Sequence, residues 1–116
     1  MVFSGLCLVT KNVKRLSDFY KMVLMTTSDC DDEIHQEILT EGASLSILRS
    51  EESSLVGNAS MSMAFTVDDV DVEFVRLQNL GVTIIDPPTT RPWGARNMRF
   101  YDPDGNSVVF RSFPNL

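Results

Sequence analysis

The feature that most restricts the fold of this chain is a pattern of predicted elements, a strand followed by a helix and further strands, that occurs twice along the sequence. The first copy opens with a strand-like run, VFSGLCLVT at 2–10, after which Asn12 stands at an N-cap position. Apolar residues then recur at helical spacing from Val13 to Leu24. Three candidate strands follow: a weak one at 25–29, and those at 33–40 and 43–49. The first copy therefore predicts the order βαβββ.

The second copy repeats that order. A strand-like run at 60–67 precedes Asp69, which can cap a helix that carries an apolar stripe and ends at Gly81. Three strands are predicted after it, near 82–85, 96–102 and 107–113, with the segment DPPTTRPWGA as a loop between the first two. The polar stretch SEESSLVGN at 50–58 is interpreted as a linker between the copies.

The length of 116 residues suits one domain with a modest core. We therefore predict an α+β fold in which two βαβββ modules form a single domain, 1–116, with an internal repeat of 1–50 and 59–116. With 43% hydrophobic and 22% charged residues the chain is typical of a globular protein. We recognise no membrane-spanning run and no N-terminal signal peptide.

The charge and the cysteines restrict partners and location. A net charge of −6 argues against nucleic acid and anionic membranes as partners, and mildly favours a cationic ligand. Cys7 and Cys30 are too few for a disulfide framework, which is typical of a cytoplasmic protein with reduced thiols. We therefore expect a cytoplasmic protein without nucleic acid or membrane partners.

The predicted strands have one large apolar side and one side of small residues. Because strand side chains alternate between faces, Leu6 and Leu8 share one side of the first strand, and Gly5 and Cys7 share the other. The small side also carries three larger polar residues of the strand at 96–102: Asn97, Arg99 and Tyr101. An antiparallel sheet face of this kind is either simply solvated or a ligand cavity. Serine and glycine are unusual for a solvated face, which favours the cavity.

The motif YDPDGN at 101–106 has two interpretations. Asp102, Asp104 and Asn106 alternate like the first ligands of a calcium loop, but Gly105 comes at the fourth position instead of the sixth. Position twelve, where an EF-hand loop needs glutamate, is Phe113. The sequence favours a tight turn between strands.

Three stretches together resemble a known family: GLCLVTKNVKRLSDFYKMVLM at 5–25, SMAFTVDDVDVEFVRLQNLGV at 62–82, and RPWGARNMRFYDPDGNSVVF at 91–110. The pattern is similar to the vicinal-oxygen-chelate superfamily, which includes glyoxalase I, extradiol dioxygenases, and bleomycin- and fosfomycin-resistance proteins. The resemblance implies paired βαβββ modules that curve a mixed sheet around a cavity, with the helices on the outer face. It also implies a homodimer in which the partner helps to close the cavity.

The resemblance further implies where a divalent metal would be held in catalytic members. The four matching positions in this chain hold Gly5, Ser46, Ser62 and Val109. Glycine and valine offer no side-chain donor, and a neutral serine hydroxyl is a poor ligand compared with imidazole, carboxylate or thiolate. We therefore expect no metal and no other cofactor. In this respect the chain resembles the metal-free bleomycin-resistance branch.

The candidate ligand-binding residues are Trp93, Arg99, Tyr101, Ser62, Ser46, Cys7 and His35. Trp93, the sole tryptophan, can stack on a flat ligand or close a barrel mouth or dimer seam. Arg99 and Tyr101 can bind a carboxylate or hydroxyl, although Arg99 can equally pair with a surface aspartate. Cys7 and the sole histidine, His35, lack a catalytic partner in the sequence, which favours packing and structural roles for them.

We therefore predict a protein that binds or sequesters a small organic molecule, antibiotic-like or aromatic, in a cavity at a dimer interface. Enzymatic activity is left open, with the weight against it. One alternative is a metal-dependent enzyme of the lactoylglutathione-lyase or dioxygenase type with displaced ligands. A second is a cofactor-free enzyme that uses His35, Tyr101 or Glu37 for acid–base chemistry. A third is an interaction module with no small ligand.

Overall fold

The computed structural model describes residues 1–52 and 60–114, arranged as two compact units, Met1–Val56 and Gly57–Leu116. We refer to them as unit 1 and unit 2. The predicted linker at 50–58 and the predicted start of the second repeat at residue 59 fall largely outside the described residues. Neither α-helix among the described residues is long and apolar enough to cross a membrane.

Over residues 1–52, unit 1 contains one helix and a three-stranded mixed sheet. Its elements are β1 (Gly5–Thr10), α1 (Val13–Val23), β2 (His35–Ile38) and β3 (Ser44–Arg49). The strand order is β1-β3-β2, with β1 parallel and β2 antiparallel to β3. The helix starts where predicted, because the Asn12 side chain accepts a hydrogen bond from the Arg15 amide at 3.0 Å. The buried residues of α1 pack against Ile38, Leu45 and Ile47 of the sheet, and together these residues form the core of unit 1.

Between residues 60 and 114, unit 2 contains one helix and a four-stranded mixed sheet. Its elements are β4 (Ser62–Thr66), α2 (Val70–Asn79), β5 (Ile84–Thr90), β6 (Arg96–Tyr101) and β7 (Ser107–Ser112). The strand order is β4-β7-β6-β5, with β4 parallel to β7. Asp69 caps α2 by accepting from the amides of Asp71 and Val72. Phe100 and Phe110 pack edge to face at 5.0 Å in the core of this unit.

The α+β class and the repeated order are confirmed, with a strand, a helix and further strands in each unit. In each unit the first strand pairs in parallel with the last. The two predicted N-caps, Asn12 and Asp69, are the observed ones.

The strands predicted before β3 are shorter than expected. The segment 25–29 contributes one isolated bridge, Ser28 to Ile38, and the strand predicted at 33–40 is reduced to His35–Ile38. Asp32 accepts hydrogen bonds from the amides of Ile34 and His35, and Asp29 accepts one from the Glu37 amide. Asp32 thus forms a local turn at the start of β2, as aspartate often does, whereas Asp29 pairs with the middle of the strand.

The predicted loop DPPTTRPWGA is wrong over its first half, because Asp86 to Thr90 belong to β5. Prolines are unusual in strands because they cannot donate to the ladder. Here β5 ends the strand order of the unit 2 sheet, and its pairing with β6 shifts register between Asp86 and Thr89. Pro87 and Pro88 lie within that shift, where no ladder hydrogen bond is required of them.

A bidentate ion pair connects α2 to its sheet. Arg96 donates from Nε and Nη2 to the two carboxylate oxygens of Asp71, at 2.8 and 2.9 Å, and from Nη1 to the Thr90 hydroxyl at 3.0 Å. The hydrogen bond and positive charge of Arg96 lower the pKa of Asp71. Asp71 also lies in the first turn of α2, where a negative charge is favourable. The first turn of α2 is thereby attached to β6.

Candidate functional site

Each sheet has one face buried in its core and one more accessible face that carries several small side chains, as the alternation predicts. In β4, Ser62, Ala64 and Thr66 are exposed, whereas Met63 and Phe65 between them are partly buried. The residues that share the accessible side of each sheet are called here the open face of that unit. They include most of the candidate ligand-binding residues.

The open face of unit 1 consists of rows of cross-strand neighbours. Its residues are Gly5, Cys7 and Val9 of β1, Ser44, Ser46 and Leu48 of β3, and His35 and Glu37 of β2. Cys7, Ser46 and Glu37 form the central row, which brings two candidate residues together. The exposed His35 lies in the next row, opposite Leu48. A thiol, a hydroxyl and a carboxylate therefore adjoin one another on this face.

Gly5 marks a close approach of β1 to β3. A Cβ atom placed on Gly5 would lie 2.9 Å from the Ser44 Cβ and would meet the Ser44 carbonyl oxygen more closely still. The Ser44 amide also donates to the Ser4 carbonyl at 2.8 Å, which holds the two strands together at this point. Position 5 therefore excludes any side chain while the two strands remain paired.

The four positions at which the resemblance implies metal ligands do not suit a divalent ion. Gly5 has no donor and no space for one, and Val109 is apolar. Ser62 lies on the other unit, and its hydroxyl is hydrogen-bonded to the Ser107 hydroxyl at 2.7 Å. Ser46 offers a neutral hydroxyl. In residues 1–52 and 60–114 no group of three or more histidine, cysteine or acidic residues is placed to hold a metal ion.

The open face of unit 2 has three rows. One row is hydroxylic: Ser62, Ser107 and Tyr101. The central row runs Ala64, Val109, Arg99 and Asp86, and the third runs Thr66, Arg111, Asn97 and Thr89. The small apolar pair of Ala64 and Val109 thus lies between hydroxyl groups on one side and a guanidinium on the other. Such a face can accept a flat molecule with different polar groups at its two ends.

Three candidate residues, Ser62, Arg99 and Tyr101, are brought together on the open face of unit 2. Arg99 donates to the Asp86 carboxylate at 2.9 Å, so its charge is compensated by an aspartate, as the alternative interpretation stated. Tyr101 is exposed on the last position of β6.

Trp93 lies elsewhere, at the tip of the β5–β6 hairpin, with 72% of its surface exposed. The hairpin turn is closed by a hydrogen bond from the Arg91 amide to the Ala95 carbonyl at 2.8 Å. Trp93 and Tyr101 flank β6 at opposite ends, and the five residue steps of that strand span roughly 17 Å. Within unit 2, Trp93 therefore does not adjoin the hydroxyl row.

Arg111 was not among the candidate residues, although it shares the strand side of Val109. Its guanidinium lies 5.5 Å from the Phe113 ring centre, and its Nε donates to the Thr66 hydroxyl at 3.3 Å. The alternation of side chains in β7 could have identified Arg111 as a residue of the open face. Asp86, the partner of Arg99, was not recognised as a residue of this face, because the part of β5 that carries it was interpreted as a loop.

The motif YDPDGN forms the tight turn between β6 and β7. Asp102 is 4% exposed, and its carboxylate accepts from the amides of Asp104 and Asn106, both at 2.9 Å, and from Asn106 Nδ2 at 2.8 Å. Gly105 has φ of 85°, a left-handed conformation that glycine adopts without strain. The carboxylate that would begin a calcium loop is thus occupied by the turn itself.

The acidic segment before β2 also has a structural role. The Glu37 amide donates to Asp29 at 2.9 Å, and this hydrogen bond, followed by one from Cys30, lowers the pKa of Asp29. The Asp31 carboxylate is paired with Lys14 at 3.4 Å. These contacts hold the segment between α1 and β2 in place.

Comparison with known proteins gives one family match. The model of the Glyoxalase/Bleomycin resistance protein/Dioxygenase superfamily matches residues 3–110. No curated protein matches the sequence.

Several solved structures share the fold. A glyoxalase/bleomycin resistance protein/dioxygenase from Nocardioides has a TM-score of 0.79 at 20% identity, over 99% of this chain and 85% of its own. TioX from Micromonospora sp. ML1 has a TM-score of 0.76 at 23% identity, over 95% of this chain and 97% of its own. Lactoylglutathione lyase from Agrobacterium tumefaciens has a TM-score of 0.75 at 19% identity, over 94% of this chain and 91% of its own. At these identities the likeness extends to the fold.

Proposed function

Because the chain belongs to the glyoxalase/bleomycin resistance protein/dioxygenase superfamily, we propose that it binds a small organic molecule, antibiotic-like or aromatic, on its open sheet faces. The observation that carries this proposal is the accessible pair of small apolar residues on the open face of unit 2, with Ala64 exposed and Val109 partly buried. The middle of a sheet face that is simply solvated usually carries long charged residues. Here small apolar residues are instead bordered by a few polar groups, which is typical of a ligand site.

We propose that the protein performs this role without a metal ion. This proposal is supported by the poor metal-binding chemistry of Gly5, Ser46, Ser62 and Val109. It is also supported by the close contact between β1 and β3, which leaves no space for a side chain at position 5. Without a Lewis acid, the superfamily's chelation chemistry has no centre at these positions. Sequestration of the ligand remains as the function that the residues support.

A thermal-shift screen tests the binding proposal. The panel contains bleomycin-type drugs, planar aromatics and hydroxy acids, and a true ligand stabilises the fold by RT ln(1 + [L]/Kd). Ala64→Phe places a bulky ring on the central row of unit 2, where Ala64 is exposed and opposes Val109. We expect this variant to lose at least about tenfold in affinity for the hit, since the ring occupies the space of the ligand.

The matched control is Val72→Phe, which adds the same ring to α2 at a position that is 62% exposed. It is expected to bind like the unchanged chain. A hit that binds Ala64→Phe and the unchanged chain equally well would contradict the proposed site.

We further propose that the protein acts as a homodimer. β1 and β4 each lie at the end of a strand order, and the open faces carry exposed apolar residues such as Val9 and Leu48. A second copy would cover such surfaces and enclose the ligand. Light scattering is expected to give a mass near twice 13.0 kDa. A mass equal to that of one chain at the concentration of the binding assay would contradict the dimer.

A further inference from the structure

We propose that the ligand of unit 2 carries a carboxylate, which the guanidinium of Arg111 recognises. This inference rests on the proposed function, because it names the chemical class of ligand for the same open face. It differs from the expectation drawn from net charge, which mildly favours a cation. The charges on the open face determine which ligand charge is favoured, because a bound molecule contacts that face and distant surface charges are screened by salt.

Arg111 carries a charge on this face that no carboxylate of the described residues compensates. Arg99, its diagonal neighbour, is neutralised by Asp86 at 2.9 Å. Within residues 1–52 and 60–114, no carboxylate lies within ion-pair distance of Arg111. Its Nε is used by Thr66, and neither terminal nitrogen has a hydrogen-bond partner among those residues. These two nitrogens form the fork that matches the two oxygens of a carboxylate.

The guanidinium of Arg111 is also held in position before any ligand binds. It lies over the Phe113 ring, 5.5 Å from its centre, while Thr66 fixes Nε at 3.3 Å. A side chain restrained in this way loses little conformational freedom on binding an anion, and this increases affinity.

Asn97 adds an independent sign of a missing partner. It is the cross-strand neighbour of Arg111, and its Oδ1 atom is enclosed without a hydrogen-bond partner in the described part of the chain. An enclosed polar atom without a partner costs free energy. Because Oδ1 is enclosed as placed, a ligand hydroxyl can reach it only after the carboxamide rotates, whereas the NH2 group is the one to donate to a carboxylate in the present orientation. Arg111 and Asn97 together therefore form a two-residue polar subsite.

The rows define the rest of the ligand. The apolar pair Ala64 and Val109 separates the row of Arg111 from the hydroxyl row of Ser62 and Tyr101. The outer rows are four residue steps apart, or roughly 14 Å along the strands. The best-fitting class is a flat bicyclic aromatic with a carboxylate at one end and a hydroxyl at the other.

The test is a calorimetric titration of the full chain with two probes of the same ring system, 6-hydroxy-2-naphthoate and its neutral amide, in which an NH2 group replaces one carboxylate oxygen and removes the charge. We expect the carboxylate to bind roughly 10- to 100-fold more tightly than the amide. Arg111→Gln is expected to abolish that preference, because it weakens binding of the carboxylate far more than binding of the amide. Arg49→Gln, which removes the same charge from an exposed pair with Glu51 in unit 1, is expected to keep the preference.

Each contrary outcome has a distinct meaning. Equal affinity for the two probes, or a preference that survives Arg111→Gln, overturns the carboxylate inference and leaves binding at the open face intact. Binding of the amide alone does the same. If neither probe binds, this inference is overturned, whereas the proposed function is judged separately by the response of the screening hit to Ala64→Phe. Circular dichroism of Arg111→Gln must match the unchanged chain, which Arg111's exposed position favours.

Discussion

Replacement of Asp102 with alanine is expected to lower the free energy of unfolding by about 3 kcal/mol. Asp102 is buried, and its carboxylate accepts three hydrogen bonds from Asp104 and Asn106 within the turn that joins β6 to β7. Alanine would leave two backbone amides and one side-chain amide without this acceptor. Urea denaturation followed by circular dichroism measures the loss.

Asp102→Asn provides a graded comparison. An asparagine oxygen can still accept from the amides of Asp104 and Asn106, but its NH2 group would face the NH2 group of Asn106. We expect the free energy of unfolding of Asp102→Asn to lie between that of the unchanged chain and that of Asp102→Ala. Asp68→Ala, at an exposed position of unit 2, is the matched control and should change stability little. An Asp102→Ala variant as stable as this control would refute the role assigned to the carboxylate.

The second large effect is expected at Gly5, where alanine should cost about 2 kcal/mol of unfolding free energy. Its Cβ would overlap the Ser44 carbonyl oxygen, and both clashing groups are close to the backbone, so no side-chain rotation relieves the contact. β1 and β3 would have to separate at this end of their pairing. The measurement is again the midpoint and slope of denaturant unfolding.

Cys7→Ala is the control for Gly5→Ala, since Cys7 is exposed on the same side of the same strand. We expect it to leave stability nearly unchanged. A Gly5→Ala variant with the stability of Cys7→Ala would show that the strands tolerate a side chain at position 5. The steric argument against a metal-ligating side chain at position 5 would then be lost. The argument from the poor donor chemistry of Ser46, Ser62 and Val109 would be unaffected.

Local signals made much of the fold predictable from the sequence. Asn12 and Asp69 precede amphipathic stretches, and a capping side chain acts on amides a few residues away, so both helix starts follow from neighbouring residues. The alternation of small and large residues likewise predicted the open faces. Alternation is a property of each strand alone and needs no knowledge of its partner.

The errors arose where distant contacts decide the outcome. Pro87 and Pro88 argue against a strand unless that strand lies at a sheet end with a shift in register, and both conditions are tertiary. Asp32 turns the chain at the start of β2 through hydrogen bonds from the Ile34 and His35 amides, which depend on the loop conformation.

The site was less predictable than the fold, because its chemistry depends on which charges neutralise one another. Arg99 was an obvious candidate from its strand side, yet the structure shows Asp86 beside it. Arg111 has the same strand-side signal, and it stands out once its neighbours Thr66 and Phe113 are known. Strand alternation identifies the residues of a face, but only the register between strands identifies their partners.

The parallel pairing of β1 with β3 and of β4 with β7 has a consequence for how the chain folds during synthesis. The opening strand of each unit must wait for the closing strand to leave the ribosome, because its hydrogen-bonding neighbour is the last one made. Such late closure is slow compared with local helix formation. In a nascent chain that stops just before β3, β1 would therefore lack its pairing partner. Chaperones that recognise extended apolar segments would bind at that stage.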